Sequence, residues 1–306
     1  MPTVPVALLP CPGYDREHLK NKLDVLLASL NFSLPRGSTV LLKPNLVAGR
    51  GHAGLACTSP EFAAAAAELF LDYGAKVRIG DSPAFGSAHA VMARCGYTDT
   101  FSGLPVERIN FTDGPLVPLD GGVSVLIAQE ALDCDLLVNL PRVKAHSQLR
   151  VSLAVKNLFG TVLGWRKPLL HMRLGNRDNA FAEMLVDLAA LFPAAFHLID
   201  GIVAMHRSGP INGAPFALGL IGAATNPVGL DTALLHAIAA NPALSPLWLE
   251  CRRRQLPGSA PADLRFPLFS PEQLQVQNFI LPADLTPIRF HPLHAVRSLG
   301  RRLLTD

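Results

Sequence analysis

Residues 135–164 read DLLVNLPRVKAHSQLRVSLAVKNLFGTVLG. The first six residues form a short apolar run of the kind that makes a buried strand. That run ends in Asn139 and continues through Pro141, Arg142, Val143, Lys144, Ala145 and His146. The rest of the stretch fits a helix over residues 150–165. Val151, Val155, Leu158 and Val162 lie along one side of it, and Gly164 is placed to stop it. At helical spacing Ser152, Lys156 and Gly160 share a face. A lysine among small residues on an apolar helix is partly buried, and burial favours the neutral amine unless an anion pairs with it.

The strand-into-polar-end pattern repeats outward from this stretch. TVLLK runs into Lys43, Pro44 and Asn45, AKVRIG into Asp81, Ser82 and Pro83, and FHLID into Asp200 and Gly201. Strands are predicted over 4–9, 38–43, 75–80, 105–110, 135–140, 195–200 and 216–222. Helices are predicted over 15–30, 59–73, 87–95, 128–133, 177–192 and 228–240. Alternation of this kind predicts an α/β fold: a largely parallel, open sheet with helices on both faces. In such a sheet the carboxyl ends of the strands share an edge, where ligands bind. Polar loops after strands are ordinary, but repeated Lys, Asn, Asp and His there point to a site. Residues 1–240 read as the α/β domain. Residues 241–306 are proline-rich, with fading periodicity, and read as an irregular, basic extension packed on or beside it.

Composition narrows the function. The chain has 306 residues, 49% hydrophobic and 17% charged, which suits a folded domain and not a disordered chain. No apolar stretch reaches the ~18 residues of a membrane span, and the start lacks signal-peptide features, so a cytoplasmic protein is expected. A net charge of +3 does not argue for nucleic acid. Residues 251–306 hold eight Arg against four Asp or Glu, among them Arg252, Arg253, Arg254, Arg297, Arg301 and Arg302. This tail reads first as a solvated face. Contact with an anionic membrane surface is a minor alternative.

Five cysteines stand at 11, 57, 95, 134 and 251, without a C-x-x-C spacing. No iron–sulfur cluster is expected on this chain alone. The dinucleotide fingerprint, the P-loop and the G-x-S-x-G elbow are absent from the sequence. Gly49, Arg50 and Gly51 do not make up any of them. His206 lies in a Gly/Pro-rich loop, where Gly209 and Gly213 let backbone approach a ligand closely.

Taken in order, LLKPNLV, TSPEF, GDSP, the Gly96-Tyr97 pair, DLLVNLPRVKAH, VSLAVKNLFGTV, His171, IDGIVAM with GPINGAP, and NPVGLD ending at Asp231 resemble the domain-of-unknown-function family numbered 362. The resemblance spans roughly residues 40–235, and VKAH with SLAVKNLFG is its most specific part. Asp81 stands where the family more commonly has Glu. The resemblance implies a fold similar to the amino-terminal domain of the nickel-pincer lactate racemases. Many members also carry a fused ferredoxin-type module, which implies redox work with a separate ferredoxin-type electron donor here.

The expected function is an enzyme acting on a small anionic metabolite, a carboxylate or phosphate, by redox or proton-transfer chemistry. His146, Lys156 and His171 are the candidate catalytic residues. Lys43, Asn45, Asp81, Asn139, Lys144, Ser152 and Asn157 are the candidate substrate-binding residues. Asp200 and Asp231 are candidate ligands for a divalent metal, the cofactor otherwise being unassigned. A metal or cofactor delivery protein using the same crevice is the alternative, and a membrane-surface role for the basic tail is a second. A homodimer is the default assembly.

Overall fold

The computed structural model describes residues 3–47, 54–83, 86–164, 166–175 and 179–286. The strands are β1 (Val4–Pro5), β2 (Ala7–Pro10), β3 (Thr39–Pro44), β4 (Lys76–Asp81), β5 (Val106–Asn110), β6 (Leu116–Pro118), β7 (Ser124–Leu126), β8 (Leu136–Leu140), β9 (Arg142–His146), β10 (Arg150–Ser152), β11 (Phe196–His206), β12 (Ala214–Ala224) and β13 (Leu264–Arg265). The helices are α1 (Arg16–Ser29), α2 (Pro60–Asp72), α3 (Ala88–Arg94), α4 (Tyr97–Thr100), α5 (Gln129–Asp133), α6 (Ala154–Asn157), α7 (Arg166–Leu174), α8 (Ala180–Ala190), α9 (Pro227–Ala237) and α10 (Pro246–Arg253).

The main sheet is α/β and largely parallel. β8, β3, β4 and β5 lie side by side in parallel, and β11 runs parallel to β8 and β9. An antiparallel margin follows, with β12 between β11 and β2. The central strands are apolar throughout because helices cover both faces. Alternation then sorts their side chains. Val40, Leu42 and Val138 pack with α1 and α2 on one face, while Leu41 and Leu137 pack with α8 on the other. A third cluster joins α9 to β2, β11 and β12.

Pro141 marks a handover. Before it, β8 pairs with β3 as far as Pro44 opposite Leu140. After it, β9 pairs with β11, with Arg142 opposite Asp200. Proline has no N–H to give a ladder, so it suits the break between β8 and β9, both of which pair with β11. Its carbonyl is still used, by the N–H of Asp200 at 2.9 Å.

The expected helix over 150–165 is replaced by three short pieces. Residues 150–152 are β10, antiparallel to β9 with Ser152 opposite Lys144. α6 follows with four residues, and a 3-10 turn spans Leu158–Thr161. The shared face of Ser152, Lys156 and Gly160 is therefore not formed. Pairing with β9 takes the first turn, a tertiary demand that overrides helical spacing. β9 and β10 themselves went unpredicted, and β11 runs on to His206. Beyond 241 the chain is less irregular than expected. Ser245 caps α10 by accepting the N–H of Trp248, and Leu247 and Cys251 are buried against α8. Arg297, Arg301, Arg302, His291, His294 and the 49–51 glycine pair lie outside the described residues.

α6 is too short to stand on its own propensity. Asp231 of α9 fixes its start, its carboxyl accepting the N–H groups of Ala154 at 2.7 Å and Val155 at 3.2 Å. Burial pushes this carboxyl up to about 8, against the pull of the two N–H groups. The folded state then holds a proton that the unfolded state has lost, between the usual carboxylate range and about pH 8. Stability falls with rising pH across that window. The wild type should therefore lose melting temperature relative to Asp231→Asn as pH rises from about 4 to about 8. Parallel melting curves for the two proteins would contradict this.

Candidate active site

The carboxyl ends of β3 and β4 lie side by side, which brings Lys43 to Asp81. Lys43 Nζ is 3.2 Å from Asp81 Oδ2, and both side chains are buried. Lys43 also donates to the Pro44 carbonyl at 2.9 Å. The other acceptor positions of Asp81 take the N–H groups of Leu46 at 3.1 Å and Ser82 at 2.6 Å. Burial lowers the Lys43 amine, and Asp81 opposes the shift. A β-carbon at Gly160 would collide with both Lys43 Nζ and Asp81 Oδ1, so this turn must carry glycine to close over the pair.

A directed chain of side-chain hydrogen bonds runs from Lys144. Its Nζ donates to Asn45 Oδ1 and, at 2.9 Å, to the Ala56 carbonyl. Asn45 Nδ2 donates to Asn157 Oδ1 at 2.7 Å, and Asn157 Nδ2 donates to Asn139 Oδ1 at 2.8 Å. Asn139 Nδ2 then faces the Ala154 carbonyl at 2.9 Å and His197 Nδ1 at 3.0 Å. A lysine only donates, so it fixes the orientation of each amide after it. The last amide donates, so His197 carries its proton on Nε2, an atom that is buried without a partner among the described residues. Burial holds His197 down at about 3, and so neutral.

The second group is Lys156 with two histidines. His146 and His171 stack with ring centres 6.2 Å apart and planes 17° from parallel. His146 Nδ1 accepts the N–H groups of Gln148 at 3.2 Å and Leu149 at 3.3 Å, which leaves the ring proton on Nε2. His171 Nδ1 lies 2.7 Å from Gln148 Oε1. An amide oxygen only accepts, so His171 is protonated on Nδ1 and its Nε2 is the lone-pair nitrogen. Burial and then the charge of Lys156 hold both imidazoles well below the usual histidine range. The two rings thus present opposite states at Nε2: a donor on His146 and an acceptor on His171.

Lys156 is half-buried, with Nζ 4.4 Å from the centre of the Phe159 ring and 5.7 Å from that of Phe181. Burial, followed by the charges of Lys144, Lys167 and Lys43, pushes its amine well below the ordinary lysine range. Lys144 is lowered to about 8, mainly by burial. Neither amine has a carboxylate partner among the described residues.

Of the residues singled out in the sequence, Lys43, Asn45, Asp81, Asn139, Lys144 and Asn157 meet in one hydrogen-bonded assembly. Ser152 is buried opposite Lys144 on the same hairpin. Lys156, His146 and His171 adjoin them. Asp200 and Asp231 do something else. Asp200 accepts Tyr14 Oη at 2.7 Å and the N–H of Ser59 at 2.9 Å, and lies 3.8 Å from Arg142 Nε. Asp231 caps α6. Among the described residues no three His, Cys, Asp or Glu side chains are grouped to hold a metal ion, so the donor set does not fit the expected divalent metal.

Sequence reasoning passed over Arg142, Lys167, Gln148 and His197. Arg142 stood in the quoted PRVKAH, where its position in a strand was the missing clue. Lys167, whose Nζ reaches the Ser82 and Gly160 carbonyls, lies past the glycine read as a helix stop. Nothing in the sequence marks Gln148 or His197.

With this geometry in hand, comparison with known proteins is informative about kinship. The chain is 38% identical over 298 residues to the thylakoid-associated protein sll1697 of Synechocystis sp., covering 96% of this chain and 92% of that protein. Among the described residues no helix is long and apolar enough to cross a membrane. The lactate racemase apoprotein from Thermoanaerobacterium thermosaccharolyticum aligns at 13% identity with a TM-score of 0.49, over 76% of this chain and 57% of that one. A Thermotoga maritima protein aligns at 13% identity with a TM-score of 0.44, over 68% and 55%. This chain thus spans little more than half of either structure. A family model described as "Domain of unknown function (DUF362)" matches residues 40–236, well over half of the chain, and the chain belongs to that family.

Proposed function

We propose that this protein is an enzyme that binds a small anionic metabolite, a carboxylate or phosphate, at Lys144 and Lys156 and moves a proton on it with His146 and His171. The observation that carries this reading is the pair of buried or half-buried amines without a carboxylate. An isolated charge is costly to bury, so burial lowers the affinity of such amines for their proton, and an anion that pairs with them favours the charged form. The low local dielectric strengthens that attraction. Asn45 and Asn157 stand beside Lys144, held in fixed orientation by the hydrogen-bond chain from it.

The histidine pair suits acid–base work. His171 Nε2 is the base that takes a proton from carbon next to a carboxylate. The imidazolium formed on His171 returns a proton to that carbon, so the ring ends as it began, while His146 Nε2–H donates a hydrogen bond to the substrate. Lys144 and Lys156 stabilise the negative charge that gathers on the carboxylate oxygens between the two steps. The protein as a carrier would share the binding half of this account and lack the exchange of protons.

Two measurements follow. Lys156→Ala should weaken binding of inorganic phosphate or malonate at least tenfold, about 1.4 kcal/mol, by titration calorimetry, with the circular dichroism spectrum unchanged. Unchanged affinity in the folded variant would overturn the assignment of Lys156. In D2O, the wild type should exchange the carbon-bound proton beside the carboxyl group of at least one small carboxylate that binds. His171→Gln should slow that exchange about 100-fold or more, as read by proton NMR. Tight binding with no exchange in any of them would leave a carrier in place of an enzyme.

A further inference from the structure

The turn that supports the cations also carries a thiol. In residues 54–58 the Ala56 carbonyl accepts Lys144 Nζ at 2.9 Å and the Cys57 carbonyl accepts Arg142 Nη1 at 2.8 Å. The turn is closed by the Cys57 N–H donating to the Gly54 carbonyl at 2.8 Å. Cys57 itself is fully buried. Cys95, the residue that ends α3, lies against the same turn, and the two thiols interact. A β-carbon at Gly54 would lie 3.5 Å from the Cys95 Sγ. Cys95 is half-buried and faces an open cleft of about 450 Å³, which Tyr14, Ser59, Arg142, Val203 and Pro215 also line. The thiols of Cys11 and Cys134 donate to backbone carbonyls instead.

We propose that Cys57 and Cys95 form a reversible dithiol–disulfide switch, closed by exchange with a low-molecular-weight disulfide, that weakens anion binding when closed. The cleft gives the reagent access to Cys95, and Cys57 resolves from behind. Cys95 loses its proton to solvent, and its Sγ attacks one sulfur of a glutathione-type disulfide. The reagent's S–S bond breaks and one thiol leaves. Cys57 Sγ, after losing its own proton, attacks Cys95 Sγ, and the mixed disulfide breaks to release the second thiol. Two protein thiols are oxidised and one reagent disulfide is reduced to two thiols. Joining the sulfurs draws Cys57 toward α3, and with it the carbonyls that hold Lys144 and Arg142. The neighbouring Cys57 thiol and burial keep the Cys95 thiol above its ordinary range, so closure should be slow at neutral pH and faster in alkali.

The effect on binding rests on the crevice being an anion site; the cross-link does not. The test incubates the full chain with oxidised glutathione at about pH 8.5, then counts thiols after denaturation. The count should fall from five to three, and a proteolytic digest should contain a peptide joining Cys57 to Cys95. Dithiothreitol should restore all five, and Cys95→Ser should give no such peptide. A count that stays at five, or a cross-link between other cysteines, overturns the switch. The closed protein should bind inorganic phosphate at least tenfold more weakly than the reduced protein, reversibly. Equal affinity overturns the coupling. A reduced protein that binds no phosphate overturns the anion reading and the coupling with it, while the thiol count alone decides the cross-link.

Discussion

Taking an amine out of water without giving it a counter-charge is the constraint around which this molecule is arranged. Two of the buried cations obey the ordinary rule: Lys43 has Asp81, and Arg142 has Asp200. Lys144 and Lys156 do not. Lys144 is satisfied by an amide oxygen and a carbonyl, which stabilise its donors without cancelling its charge. Lys156 rests against the face of Phe159, a weaker substitute for a carboxylate. Adding cations so close together raises the cost for each; burial, and after it the charge of Lys156, keeps the two histidines beside them neutral. A small anion would relieve all of these groups at once.

The sheet makes this possible by ending its strands at one place. β3 and β4 deliver Lys43 and Asp81 to adjacent positions by parallel pairing. The handover at Pro141 lets one segment serve both ends of the network: β8 contributes Asn139 and β9 contributes Arg142, Lys144 and His146. Gly160 then lets the following turn come down on the ion pair, and Asp231 holds the start of the short helix that carries Lys156 and Asn157. Few of these parts touch bulk water, so a small displacement of the 54–58 turn would be felt directly by two cations.

Most of the layered fold was legible because alternation and apolar runs depend on local spacing. The strand ending at Lys43, that ending at Asp81 and the amphipathic α2 and α8 came out within a few residues. Residues 142–164 were misread because their conformation is decided by partners far away in the chain. Lys144 and His146 look like a polar loop until β11 pairs with Lys144 and β10 pairs with both. Val151 and Val155 keep helical spacing although a strand and a four-residue helix contain them. The gathering of Lys43, Asn45, Lys144 and Asn157 was inferable, since strand ends share an edge. The tautomers of His146 and His171 were not, because Gln148 sets both through its N–H and its side-chain oxygen. Asp200 and Asp231 looked like metal ligands for a similar reason: the sequence shows their acidity and not the hydroxyl and N–H groups that occupy them.

The central claim, that the strand ends hold amines lacking a counter-charge, is most directly tested by the titration of Lys156 itself. Isotope-labelled lysine side chains can be followed by NMR against pH, with Lys156→Arg assigning the signal. The account predicts a midpoint well below the ordinary lysine value in the protein alone, moving upward when inorganic phosphate is added. A Lys156 that titrates near its ordinary value, and does so identically with and without phosphate, would contradict it.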